Sequence, residues 1–218
     1  YFADTLWVLA VIGIVYGAVM TLIQDDIKSL VAYSSVSHLG FVILGMMALN
    51  LVGASGSLLQ QVNHGISTGA LFLLVGMIYE RRHTRKIADY GGIFAVMPVF
   101  SIAFLIVALS SIGLPGLNGF VGEFLIFRGV FGLTPGVAAV ATLGLLATAL
   151  FLLTFWQRVF HGPRTGVTAR AFADLRGVEL ATLVALVVLM AILGVAPGLL
   201  TRLFNPLITS WAGHLTLP

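Results

Sequence analysis

The chain has 218 residues, 59% of them hydrophobic and 9% charged, against about 25% charged for an ordinary soluble domain, so a soluble fold is excluded. Eleven Lys and Arg against 8 Asp and Glu leave a net charge of +3; most of the basic residues lie between apolar runs, where they set topology and imply no nucleic-acid partner. Cysteine is absent, so neither a disulfide framework nor a thiolate metal or iron–sulfur site can be built, and no redox centre is expected in this chain.

Apolar runs of about 20 residues or more each suffice to cross a hydrocarbon core of about 30 Å. They predict an all-α, polytopic transmembrane bundle forming a single domain over 1–218, with spans at about 5–24, 29–50, 56–79, 93–131, 136–160 and 178–205. Tyr1 is followed almost at once by the first span, with no initiator Met and no signal-like segment, as in the later part of something longer. The fourth segment is too long for one straight helix and carries Gly113, Pro115, Gly116 and Gly119. It is either two spans joined by a loop or one span broken at 113–119.

Loop charge favours the broken helix. With the break inside the membrane, the loops around 24–28, 80–92 and 158–177 open on one face. That face then holds Lys28, Arg81, Arg82, Arg85, Lys86, Arg158, Arg164, Arg170 and Arg176, leaving only Arg128 and Arg202 elsewhere. This is the asymmetry of a cytoplasmic or matrix side. The 161–177 stretch reads as a surface connection or short interfacial helix, and Pro197-Gly198 as a kink or an end in the last span.

Seven acidic residues, Asp4, Asp25, Asp26, Glu80, Asp89, Asp174 and Glu179, fall at loops or span ends; only Glu123 is deep. Counted from Phe131 it lies 8 residues in, roughly 12 Å. A charge there costs roughly 2.5–3.5 kcal/mol on insertion scales, which makes it a candidate proton carrier beside helix-breaking backbone. The plainer alternative is a carboxyl capping the half-helix that starts after the break. His38 lies ten residues after Lys28, roughly 15 Å from the basic face, and His64 roughly 12 Å from the other. Either could be a satisfied core histidine. Their company, Tyr33, Ser34, Ser35 and Ser37 before His38, and Gln60, Gln61, Asn63, Ser67 and Thr68 around His64, reads instead as a hydrated relay. Lys28, beside Asp25 and Asp26, fits a snorkelling span end. The glycines at 113, 116, 119 and 122 follow no strand, so the dinucleotide fingerprint fails, and there is no Walker, zinc or nucleophile-elbow motif.

Four segments carry a family resemblance: Gln24 to Phe41, Asn63-His-Gly-Ile-Ser67, Tyr79-Glu-Arg-Arg-His-Thr-Arg85 and Leu114-Pro-Gly-Leu-Asn-Gly-Phe-Val-Gly-Glu-Phe124. Together they resemble the antiporter-like membrane subunits of NADH:quinone oxidoreductase, respiratory complex I. Within that family the Tyr79–Arg85 loop and a glutamate at 123, where sister chains usually carry lysine, suggest the C-terminal part of the chain M (mitochondrial chain 4) type. The resemblance implies the second inverted repeat of an antiporter-like fold, with its broken helix, plus a following helix; the first repeat is absent. It also implies a proton-translocating role through buried His, Glu and water. Glu123 would be the terminal protonatable group, His64 the link to it from the missing half, His38 a member of the polar axis and Lys28 a basic position of the motif. NADH, FMN, iron–sulfur clusters and quinone would sit on other subunits. The implied partners are the other membrane-arm subunits, sister antiporter-like chains included, in an energy-transducing membrane. Rival readings are a cation/proton antiporter or membrane-bound hydrogenase subunit of the same fold, and a structural scaffold whose polar residues only join helices.

Overall fold

The computed structural model describes residues 2–163 and 173–215, so the predicted basic positions Arg164 and Arg170 lie outside the described residues. Among the described residues eight α-helices follow one another: α1 Phe2–Leu22, α2 Ile27–Met47, α3 Leu51–Arg82, α4 Pro98–Ser111, α5 Asn118–Phe131, α6 Pro135–His161, α7 Gly177–Val195 and α8 Gly198–Leu215, with 3-10 turns at Ile87–Asp89 and Ile93–Ala95. Among the described residues there is no strand. Five of these helices, α1, α2, α3, α6 and α7, are long and apolar enough to cross a membrane.

Local chemistry sets the boundaries. Asp26 caps α2 by accepting from Lys28 N and Ser29 N at 2.8 and 3.0 Å. Asn50 caps α3 by accepting from Gly53 N at 2.8 Å, which starts that helix at Leu51 rather than near 56. The 32-residue α3 is roughly 48 Å long and ends where His83 turns left-handed at φ 55°. Pro98 and Pro135 occupy first-turn positions of α4 and α6. Pro98 also moves the start of the fourth span from 93 to 98, and Pro197 divides the predicted 178–205 span into α7 and α8.

α4 and α5 have 14 residues each, roughly 21 Å, and neither alone crosses the hydrocarbon core. They lie end to end along α3 and antiparallel to it: Ser67 meets Ser110 at 3.0 Å, Asn63 meets Asn118, Gln60 meets Glu123, and Asn50 Nδ2 donates to Gly129 O at 2.9 Å. The pair therefore acts as one discontinuous span. Between them Gly113 and Gly116 adopt φ of 75° and 96°, a conformation that favours glycine, and Pro115 cannot continue the first helix.

The α3–α5 seam is glycine-lined and very close. A Cβ on Gly56 would stand 2.7 Å from Ile126 N, and one on Gly129 2.6 Å from Gly53 N. Small residues on both helices let the backbones approach this far. A larger apolar cluster, with Phe100, Phe104, Leu71, Leu74 and Phe160, surrounds the α4 end.

All three basic connections meet at one end of the bundle. Ile27 N donates to Arg85 O at 2.9 Å and Ile87 N to Asp25 O at 2.8 Å, joining the α1–α2 turn to the loop after α3, and Arg85 Nε sits 3.2 Å from Asp26 Oδ2. Arg81 binds Glu179 and donates from Nε to Ala173 O at 3.1 Å. Arg158, Asp25 and Tyr90 line one cavity of about 620 Å³ at that end. A loop at the break would have put these groups at opposite ends.

Candidate functional site

α5 carries Glu123 into the seam, 5% exposed, facing α2 and α3. Its Oε1 lies 3.3 Å from His38 Nδ1 and accepts a hydrogen bond from Gln60 Nε2 at 3.2 Å. The His38 contact has the separation of an ion pair without the alignment of a formed hydrogen bond. Behind His38 stands His64, its ring centroid 5.5 Å away and tilted by 40°. Thr68 Oγ1 approaches both ring nitrogens of His64 at 3.3 Å. The result is a row of three neighbouring side chains, His64–His38–Glu123, on three helices.

Two expectations change in detail. His64 was expected to reach Glu123 at equal depth; instead His38 stands between them. The cause is the early start of α3, which places His64 thirteen residues from Leu51, roughly 20 Å, and leaves Gln60 level with Glu123. Lys28 is exposed at the start of α2 and lines a different cavity, about 560 Å³, with Tyr79 and Arg85. The structure does not bring it to the other three.

The surroundings sort into glue and site. Ser34 and Ser35 both donate back to Val31 O within α2, and Ser37 ties α2 to α1 by donating to Ile14 O at 3.0 Å, so none of these serines extends the line. Gln61 faces outward. Asn118, not singled out by sequence, is the centre of the break: Asn63 Nδ2 donates to its backbone oxygen at 2.6 Å, its own Nδ2 returns a bond to Asn63 O at 3.2 Å, and its Oδ1 accepts from Ser67 and Ser110. The available signal was a polar side chain opening the helix after Pro-Gly, where backbone groups need partners. Glu123 makes no cap bond to α5 backbone among the described residues; its Oε2 instead rests against Gly113. That side opens on a cavity of about 250 Å³ with Ile112, Phe120 and Thr142 in its wall.

Chemically, a buried carboxyl beside a buried imidazole is neutral overall in two forms, imidazolium with carboxylate or imidazole with carboxylic acid. A proton can shift between them without creating an isolated buried charge. Among the described residues no three His, Asp or Glu side chains are grouped to hold a metal.

Residues 2–150, which contain all three members of the line, match the family model described as NADH:quinone oxidoreductase/Mrp antiporter, transmembrane, and the chain belongs to that family. NADH-quinone oxidoreductase subunit M of Rhodobacter capsulatus is 41% identical over 200 residues, covering 92% of this chain and 39% of that protein. Among solved structures, respiratory complex I from Thermus thermophilus with bound NADH superposes with a TM-score of 0.90 at 35% identity, covering 97% of this chain and 44% of its counterpart. The Mrp complex from Dietzia sp. DQ12-45-1b shares the fold, with a TM-score of 0.81 at 21% identity over 94% of this chain and 46% of that one. The chain thus spans about two-fifths of the length of the curated relatives it matches.

Proposed function

We propose that this chain belongs to a membrane-arm subunit of an NADH:quinone oxidoreductase and carries protons along His64, His38 and Glu123. In this reading a proton passes from His64 through intervening water to His38 and then to Glu123 Oε1, and the carboxylic acid turns over to release it on the side of the cavity at the break. Asn63 Oδ1 and Gln60 Oε1 are buried without a protein partner and suit water beside the line. NADH, FMN, iron–sulfur clusters and quinone belong to other subunits, and sister antiporter-like chains are neighbours in the membrane. The basic end of the bundle faces the cytoplasm or matrix, a reading the charge asymmetry supports.

The observation that carries the proposal is the 3.3 Å approach of His38 to Glu123, both buried, with the tilted His64 ring behind. Polar residues serving only as helix glue need no titratable pair in line. The test is Glu123→Gln in the intact complex, which keeps shape and removes the exchangeable proton. Assembly should persist while proton pumping and coupled turnover fall at least about tenfold, the low end for losing a positioned proton-transfer group. A scaffold role predicts a silent Gln and a disruptive Glu123→Lys. A fully assembled Gln variant that pumps at the wild-type rate would falsify the proposal.

A further inference from the structure

The elements packed around Glu123 offer its carboxylate few partners. α2 contributes His38, with His64 of α3 behind it; the break contributes Gly113, and α6 contributes Thr142, whose hydroxyl is engaged by Ala138 O. α7 places Gly194 against Leu117, and its Glu179 is held by Arg81 at the far end. On α5 itself Arg128 is exposed. That leaves Gln60, 2% exposed, as the side chain besides His38 that contacts the carboxylate among the described residues.

Gln60 gives only half of its amide to this contact. Its Nε2 donates to Glu123 Oε1, while its own Oε1 is buried without a partner and rests over Gly122, where any other residue would place a Cβ. A carboxylate only accepts hydrogen bonds, whereas a carboxylic acid has an O–H to donate. A primary amide holds donors and an acceptor on one plane, and its terminal torsion is broad and roughly two-fold. It can therefore serve either state by turning over.

We propose that Gln60 is a positioning residue of the proton site, one that presents its NH2 to the ionised Glu123 and its carbonyl oxygen to the acid. The carboxyl then stays in line with His38 in both states, and neither state strands the carboxyl without a partner. Gly122 leaves the space in which the amide oxygen lies. This inference rests on the proton-carrying role of Glu123.

Two variants in the intact complex test it. Gln60→Met keeps length and bulk but neither donates nor accepts strongly; Gln60→Glu keeps the shape and combines donor with acceptor only while protonated. With normal subunit content, the Met variant should pump about fivefold more slowly at every pH, the factor carried by one lost hydrogen bond. The Glu variant should pump near the wild-type rate at acidic pH and lose activity as pH rises, because a second carboxylate then faces Glu123. Should Met prevent assembly, the pH profile of the Glu variant decides: alkaline loss upholds the inference and a profile parallel to wild type overturns it. Both variants pumping as wild type, while Glu123→Gln stays inactive, overturns the inference alone. Wild-type pumping by Glu123→Gln removes the reading beneath it.

Discussion

Gly122→Ala puts one methyl group into the α3–α5 seam at the level of Gln60. The new Cβ would stand 2.9 Å from Gln60 Cβ and 3.0 Å from Gln60 Cα, and it would collide with the Gln60 amide oxygen. Carbon atoms pack best at about 3.5–4.0 Å, so the helices must part by roughly half an ångström or more at this level. The seam has little slack to absorb this, because Gly56 and Gly129 already touch backbone along the next two turns. Overpacking of this kind costs about 1–3 kcal/mol. The Gln60–Glu123 bond, 3.2 Å in the native protein, would open past hydrogen-bonding range and add about 1 kcal/mol. A total of about 2–4 kcal/mol corresponds to a thirtyfold or larger change in an equilibrium constant. The purified complex should therefore release this subunit at a lower temperature on native gels, and pump more slowly in vesicles before it does so. Gly132→Ala, at the end of the same helix with nothing near its Cβ, is the control and should change neither. If Gly122→Ala matches wild type in both measurements, the close seam does not position Glu123.

Two further outcomes follow from the fold. Because the chain has no cysteine of its own, single cysteines at His83 and Arg158 can be labelled with an impermeant maleimide; both should react from one side and a cysteine at Leu133 from the other, and opposite sides for the first two would dissolve the discontinuous span. Asp174→Ala removes the acceptor for Val99 N and Phe100 N, now bonded at 2.8 and 3.0 Å, so it should destabilise α4 by about 0.5–2 kcal/mol in thermal release assays, with Asp174→Asn milder; an unshifted Ala variant would remove Asp174 as the cap.

The all-helical membrane character and the break were legible because they rest on composition and on residues with one dominant backbone effect, such as Pro115 and Gly116. The positions of Glu123 and the histidines were legible because an ionisable group in an apolar run is rare enough to stand out. The order of the line was not. It depends on helix register, which the Asn50 cap sets by starting α3 several residues early, and the mixed polar and apolar pattern of that helix does not report where it begins. Asn118 and the partner of Gln60 were hidden for a related reason: each is defined by a contact between α3 and α5 more than fifty positions apart. Asp174 is the extreme case, capping α4 from 75 residues downstream in a loop that composition alone marks only as polar.

These distant contacts explain why a break can exist at membrane depth. Interrupting a helix there frees backbone and side-chain polar groups that lipid cannot serve, so the protein must serve them. At the break the Asn63–Asn118 bonds do so, and two anchors of different kinds hold the half-helices in place. α4 is held at its outer end by the Asp174 carboxylate, and α5 at its inner end by the reciprocal Asn63–Asn118 bonds and the glycine seam. The half-helices are thereby fixed independently, with Gly113 between them free to lie against Glu123 Oε2. A continuous helix would have closed that side of the carboxyl with its own backbone. The break gives Glu123 two faces, one oxygen towards His38 and the other towards the cavity, so that in the proposed relay a proton taken up on one side can be released on the other.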